Sequence, residues 1–348
     1  MRIMHVLNTR KYSGAENVVI TLISATRDKV DAVYVSMDGP IRTFLEEAHI
    51  SFRPITKMTV SEIRRVIREI NPDIIQAHDY TAGIVCSIAT KKPIINHVHN
   101  NSPWIKQYGL RSFGYAISCI KYKRILTVSD AVMNEFVFGS FFNKKTVVIG
   151  NPIDIEKIRK MSMETLYDNS RSEYDVAWLG RLTPPKNPLL FLRIIKELQE
   201  RNKLIRVIMI GDGELRSSVE SCIKDYGLEN NVDMVGFMKN PFAMLAMAKI
   251  LCMPSKWEGF GLAAIEALAL GKPVICSCVG GLPQIVDESC GQICNSVQEY
   301  VLSIERALDD KEYYQRMSQG SIRKAEKMSN LNAYSAEILD IYDEIIGS

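Results

Sequence analysis

Short apolar runs alternate with helical patterns twice along this chain, and that double alternation narrows the fold more than anything else in it. In the first half, residues 2–7, 31–36, 74–77, 94–97, 124–128 and 146–149 are strand-like, with helical patterns at 16–26, 41–48, 59–70 and 82–90 between them. Apolar strands separated by helices are the pattern of a parallel sheet covered on both faces. The alternation breaks at Asn151-Pro-Ile-Asp154. Residues 155–173 are polar, lack a strong period and read as a linker or a peripheral helix. A second set of runs, at 175–179, 206–210, 232–235, 250–253 and 273–276, then restarts the pattern. Two similar α/β domains are therefore expected, at 1–155 and 172–330, rather than one long sheet. The tail, 333–346, is an amphipathic helix with Ile338, Leu339, Ile341, Ile345 and Ile346 on its apolar side.

With 348 residues and 47% hydrophobic composition, the chain is long enough for two domains with cores of their own. The net charge of +3 is unevenly spread: residues 1–155 carry 20 Lys and Arg against 13 Asp and Glu, whereas the remainder carries 23 against 27. A basic N-terminal half suits an anionic partner, such as a membrane surface or a phosphate-bearing acceptor. No signal peptide is expected, because Met1-Arg-Ile-Met-His-Val-Leu-Asn8 runs straight into polar sequence. No apolar run approaches the ~18 residues of a membrane span. The eight cysteines match no zinc-ribbon spacing and are expected to be incidental thiols of a reducing cytosol. A cytoplasmic protein follows, at most working on the inner face of the cell membrane.

Seven residues separate Glu258 from Glu266, and among them Gly259-Phe-Gly261 opens an Ala-rich helical run. A Gly-rich turn feeding a helix start presents free N–H groups and a positive dipole end, which suits a diphosphate. Two acidic side chains beside it can accept hydrogen bonds from sugar hydroxyls, so phosphate plus polyol points to a nucleotide sugar. Arg181 and Lys186 lie five apart after a strand, in a turn stiffened by Pro184 and Pro185. Two fixed cations neutralise a departing diphosphate without a metal. Gly211-Asp-Gly-Glu214 follows the next strand; its glycines allow a tight strand-to-helix turn, and Asp212 and Glu214 are expected to cap the helix. Val235-Gly-Phe237 would line a base pocket, although core packing explains Val235 equally well. No G-x-G-x-x-G follows the first strand and no Walker lysine motif occurs, which removes most support for NAD binding and ATP hydrolysis. Of five histidines, His5 is expected to be structural and His49 to lie on the surface. His78 and His97 are placed at strand ends facing a crevice, and His97-x-His99 puts two rings on one strand face. No cysteine or carboxylate joins these histidines at a ligating spacing, so no metal site is expected.

Taken in order, Ser13-Gly-Ala-Glu16, Ala77-His-Asp79, Val98-His-Asn100, Thr127-Val-Ser129, Asn151-Pro-Ile-Asp154, Leu179-Gly-Arg-Leu182 with Lys186, Gly211-Asp-Gly-Glu214, Glu258-x7-Glu266 and Gly280-Gly-Leu-Pro283 span nearly the whole chain. In this the chain resembles the retaining GT-B glycosyltransferases of family 4. The resemblance implies two Rossmann-like domains facing across a cleft, with the tail helix crossing back to the N-terminal one. It places the donor nucleotide on the C-terminal domain and the acceptor on the N-terminal one. It also implies that Arg181 and Lys186 hold the diphosphate, Glu266 the ribose hydroxyls and Glu258 the donor sugar. Amides near Phe260, Gly261 and Leu262 would support sugar and phosphate. Gly14 would sit in a flexible loop approaching the phosphates, and His99 beside the donor sugar. Two departures stand out: Ser13-Gly14 replaces the commoner Gly-Gly, and Gln284 stands where the family carries an acid.

No carboxylate here is an obvious nucleophile for double displacement, so the resemblance favours a front-face route with retention and no cofactor. Trp104-Ile-Lys-Gln-Tyr-Gly-Leu-Arg-Ser-Phe interleaves aromatics with cations, and Phe136-Val-Phe-Gly-Ser-Phe-Phe142 is an apolar, loop-like stretch. Together they are either an anionic-membrane patch, with a lipid-linked saccharide as acceptor, or a buried helix and ordinary core. The leading expectation is a hexosyltransferase using a nucleotide sugar, UDP by default, and no nucleic acid. A nucleotide-sugar epimerase and a catalytically silent binding subunit are the alternatives.

Overall fold

The computed structural model describes residues 1–99, 102–164, 174–201 and 204–347. They form two α/β units, Met1–Pro152 together with the chain from Asn330 onward, and Ile153–Ser329.

The first unit carries seven parallel strands: β1 (Arg2–Val6), β2 (Asp31–Met37), β3 (Ser51–Ile55), β4 (Ile74–Ala77), β5 (Ile94–Val98), β6 (Arg124–Thr127) and β7 (Thr146–Val148), in the order β3-β2-β1-β4-β5-β6-β7. Its helices are α1 (Gly14–Thr26), α2 (Ile41–Glu47), α3 (Val60–Ile70), α4 (Tyr80–Ala89), α5 (Leu110–Lys121) and α6 (Asp130–Asn134). Local chemistry explains their limits. In α3, the Thr59 hydroxyl accepts from the Glu62 N–H, Ile63, Val66, Ile67 and Ile70 form one buried stripe, and Asn71 ends the helix in the left-handed region before Pro72. Chain direction reverses its side of travel between β1 and β4, so their C-terminal ends flank the switch point of the sheet.

The second unit has β8 (Tyr174–Leu179), β9 (Val207–Ile210), β10 (Val232–Gly236), β11 (Ala248–Met253), β12 (Val274–Ser277) and β13 (Gly291–Cys294), all parallel, in the order β10-β9-β8-β11-β12-β13. Its helices are α7 (Ile155–Ser162), α8 (Pro188–Glu200), α9 (Arg216–Asp225), α10 (Phe242–Ala246), α11 (Leu262–Ala269), α12 (Leu282–Ile285), α13 (Val297–Asp309) and α14 (Lys311–Met328). The strands alternate between two cores. Ala177, Ile208, Leu251 and Val274 pack on one side, and Val176, Val207, Ile250 and Ile275 on the other. The switch point falls between β8 and β11. After α14 the chain returns to the first unit as α15 (Leu331–Gly347), whose Tyr334, Ile338, Ile341, Tyr342 and Ile345 pack on Ile3, Ile74, Ile95 and Leu126.

Several expectations need correcting. Of the two readings of 155–173, the helix holds for Ile155–Ser162, but it is not peripheral: Ile155 and Ile158 of α7 are buried in the core of the second unit. The rest of the supposed linker, residues 165–173, lies outside the described residues, as does Asn100. β3 and β13 were not expected as strands. β3 contains Pro54, which an edge strand tolerates because one side of its backbone needs no ladder partner. Gly14 is the first residue of α1 rather than part of a loop.

Candidate active site

Four loops gather at the C-terminal ends of β8, β9, β11 and β12 in the second unit, and backbone hydrogen bonds tie them together. Gly180 N–H donates to Ile210 O (3.0 Å), Leu182 N–H to Asp212 O (3.0 Å), Lys256 N–H to Pro185 O (2.8 Å) and Gly281 N–H to Gly259 O (3.1 Å). Two glycines permit this closeness. Gly211, at φ +135°, would place a Cβ 1.8 Å from Gly180 O, and Gly280, at φ +55°, would place one 1.8 Å from Glu258 O. No side chain fits either position.

Lys186, in the loop after β8, meets Glu258, in the loop after β11: Nζ and Oε1 are 2.5 Å apart. Glu258 is only 6% exposed. Its Oε1 also accepts from the Ser255 hydroxyl at 3.0 Å, Ser277 Oγ donates to Ser255 O at 2.7 Å, and the Tyr300 hydroxyl lies 3.1 Å from Ser277 Oγ. Nothing in the sequence spacing marks this supporting chain: Ser255 lies just after β11 and Ser277 is the last residue of β12. Glu266 stands one turn inside α11. Burial pushes its carboxyl up to about 7, and the nearby Lys186 charge pulls the other way. Lys186 therefore serves two carboxylates, one paired by contact and one through its field. Gly261 is the N-cap of α11, and the helix begins at Leu262, so the first amides of this turn have no intrahelical acceptor.

Arg181 is exposed on the same loop as Lys186. Val235 is half-buried against the core and Phe237 is 57% exposed just beyond β10. Phe260, in the loop before α11, packs partly on the same core. Asp212 does not cap α9, whose N-cap is Leu215; it accepts from Gly213 N–H (2.8 Å) and pairs with Arg216 instead. Gln284 is exposed on α12.

The first unit brings its histidines together at the ends of β1, β4 and β5. His5 Nδ1 lies 3.0 Å from His78 Nε2, and His78 Nδ1 lies 3.1 Å from His99 Nε2. His97 stacks obliquely on His99 with centroids 4.2 Å apart, and its Nδ1 is 3.2 Å from Gln76 Nε2. The Tyr342 hydroxyl of α15 donates to Gln76 Oε1. Burial lowers the pKa of every ring: His5 to about 3, His99 to about 4, and His78 and His97 well below the usual value. Asn151 opposes the shift at His99. All four rings are thus neutral near pH 7. In a chain of neutral imidazoles each hydrogen bond fixes which nitrogen bears the proton, so the tautomers of His5, His78 and His99 are set jointly. His5, expected to be merely structural, is the far end of that chain. Ligand atoms of His78, His97 and His99 lie within 4.8 Å of one another; both nitrogens of His78 are already taken by neighbouring rings. His97 Nε2 and His99 Nδ1 are buried without a partner among the described residues.

Asp79 N-caps α4, accepting from Ala82 N–H (2.8 Å), and its other oxygen accepts from Asn8 N–H (2.7 Å), which joins the loop after β1 to that after β4. Glu16, buried in α1, accepts from the Ser13 hydroxyl at 2.5 Å beside exposed Gly14.

Comparison with known proteins matches each unit to a family. The model for glycosyl transferases group 1 matches residues 168–324, and that for Glycosyltransferase Family 4 matches residues 12–157. An uncharacterized glycosyltransferase of Methanocaldococcus jannaschii is 29% identical over 62% of this chain and 57% of its own length. The alignment thus spans little more than half of that relative. A Campylobacter jejuni GalNAc-alpha-(1->4)-GalNAc-alpha-(1->3)-diNAcBac-PP-undecaprenol alpha-1,4-N-acetyl-D-galactosaminyltransferase is 26% identical, covering 77% of each chain. Among solved structures, Anabaena Alr3699/HepE in complex with UDP-glucose superposes with a TM-score of 0.83 at 21% identity, covering 99% of this chain and 100% of that one.

Proposed function

Since the chain belongs to the GT-B glycosyltransferases that these two family models describe, we propose that it moves a hexosyl unit from a UDP-sugar to a saccharide carried on lipid, with retention and without a metal. The observation that carries this reading is the Lys186–Glu258 ion pair, which joins the loops after β8 and β11 at the switch point of the second sheet, with Glu266 within the field of the Lys186 charge. An ammonium has three donors, so Lys186 can keep Glu258 and still meet a phosphate oxygen. UDP is favoured because the Anabaena structure holds UDP-glucose. A lipid-linked acceptor is favoured by the undecaprenol diphosphate in the Campylobacter enzyme's name.

The residues then take the following roles. Arg181 and Lys186 neutralise the diphosphate as the glycosidic bond breaks. Glu266 accepts from the ribose hydroxyls and Glu258 from the donor sugar. Amides at Phe260, Gly261 and Leu262 face phosphate and sugar, and the turn at Gly211 with Val235 and Phe237 borders the base. In the first unit, Gly14 approaches the phosphates and neutral His99 positions the sugar. The departing phosphate oxygen takes the acceptor proton while the acceptor oxygen forms its bond on the same face of an oxocarbenium-like centre. The protein supplies orientation and fixed charge. Such a reaction serves assembly of surface polysaccharide at a membrane's cytoplasmic face.

The experiment is a thermal-shift and turnover panel with UDP-, GDP- and ADP-sugars, with and without EDTA, using undecaprenol-diphosphate saccharides as acceptors. The expected result is that melting rises with UDP compounds alone, turnover survives chelation, and the product keeps the donor's anomeric configuration by NMR. Tight UDP-sugar binding without transfer to any acceptor would favour a silent binding subunit, and epimerised donor without acceptor would favour an epimerase.

A further inference from the structure

Helix α5 turns its polar side inward. Ser112, Tyr115, Ser118 and Cys119 are its buried residues, whereas Leu110 is 93% exposed, Phe113 57%, Ile117 49% and Ile120 65%. Steps of three, four and three residues put these four on one face of a helix. Tyr108 and Phe141, each 79% exposed, add two more large apolar side chains from the flanking segments.

The helix cannot roll over to hide that face. The Tyr115 hydroxyl donates to Asn96 Oδ1 of β5 at 2.7 Å, Ser87 Oγ donates to Ser118 Oγ at 3.1 Å, and Ser112 Oγ donates to Gln107 O at 2.7 Å. Rotation would strand these buried polar groups. Tyr115 is also clamped edge-on by Tyr80 and Trp104. The exposed stripe is thus imposed by the packing beneath it, and a contiguous apolar face of this kind marks an interaction surface.

Charge selects the occupant. Residues 102–145 contain seven Lys and Arg against two Asp and Glu. Arg111, Lys121, Lys123 and Lys144 are exposed around the stripe, and Lys106 pairs with Glu135. Two copies meeting through this face would bring like charges together. An anionic bilayer satisfies both features, taking the apolar side chains at its acyl boundary and the cations among its headgroups.

We propose that α5, with Tyr108 and Phe141, is a monotopic docking surface for anionic lipid. It rests on the lipid-linked acceptor reading for its purpose, but its test needs no turnover. The full chain is sedimented with vesicles of phosphatidylglycerol and phosphatidylcholine, and with phosphatidylcholine alone. The expected result is binding to the anionic vesicles that weakens with added salt. It should fall at least tenfold in Leu110→Ser/Phe113→Ser/Ile117→Ser/Ile120→Ser, with the melting temperature kept. Phe113→Ser alone and Arg111→Glu/Lys144→Glu should each lose several-fold, which keeps the proposal testable if the quadruple variant misfolds. Equal vesicle binding by wild type and all variants overturns it, as does no binding by wild type. A wild-type dimer that the variants dissociate, seen by analytical ultracentrifugation, also overturns it and assigns the face to a second copy. UDP-induced stabilisation measured on the same samples separates the two readings: its loss in wild type counts against the transferase assignment and leaves the lipid result standing.

Discussion

The two units place their notable side chains at the same point of similar sheets and build opposite electrostatics there. At the β8/β11 switch point, Lys186 and Glu258 form an ion pair, and the Lys186 charge acts on Glu266, whose carboxyl burial raises to about 7. At the β1/β4 switch point and the neighbouring end of β5, His5, His78, His97 and His99 form a set that burial keeps neutral. The backbone solution is shared, because a doubly wound sheet opens a crevice wherever its strand order reverses. The chemistry differs because one set holds charge against charge, suited to a diphosphate, and the other offers hydrogen bonds without charge, suited to sugar hydroxyls.

The strongest way to break this comparison is Lys186→Ala. Turnover should fall by about a thousandfold, the scale of losing one fixed transition-state charge. The unit should also lose about 3–5 kcal/mol, since buried Glu258 would be left without its cation. Lys186→Ala/Glu258→Gln should recover most of the stability and none of the activity. Near-normal turnover in the single variant would remove the charged set from the mechanism.

Acidity should separate the units next. The histidines have folded pKa values below the unfolded 6.5, so the unfolded state binds more protons as pH falls. Their contribution is fully present above about 6.5 and is lost on acidification toward about 4. Each pH unit of displacement is worth about 1.4 kcal/mol. Hydrogen exchange followed strand by strand should show β1, β4 and β5 losing protection between pH 7 and 5. A uniform response across both sheets would show that the histidines do not control it.

Glu266 runs the other way. Its folded carboxyl titrates near 7, above its unfolded value, so it favours the folded state in acid, and that advantage is lost as pH rises through 7. Glu266→Gln should therefore be more stable than wild type at pH 8, by up to about 3 kcal/mol. If the carboxylate accepts from ribose, wild-type UDP affinity should weaken below about pH 7, and the variant should bind weakly with no such pH dependence. The smallest effect is expected at Phe237→Ala. Stability should stay within about 0.5 kcal/mol, because the ring is exposed. UDP affinity should drop only several-fold, the scale of one aromatic contact. Unchanged affinity would take Phe237 out of the base pocket.

Much of the fold was legible in the chain. Apolar runs such as Val207–Ile210 are buried on both faces, and their composition shows it directly. The elements missed had weak signals for identifiable reasons. Pro54 disguises β3, and β13 is only four residues long. The stretch 136–142 read as one apolar patch, yet Phe136 is 4% exposed and Phe141 79%. Likewise, Tyr108-Gly-Leu-Arg-Ser-Phe announces aromatics and cations without saying which side of α5 faces out.

By itself, then, the sequence determined the two α/β units, the glycine turns and the Glu258-x7-Glu266 motif, because period, turn chemistry and local spacing are written within a dozen residues or so. Only the tertiary structure decided that Lys186 meets Glu258 across 72 residues, that His5 joins His78 across 73, and that α5 shows its apolar side. Those outcomes depend on which strand lies beside which and on what packs underneath, information that parallel crossovers spread over the whole chain.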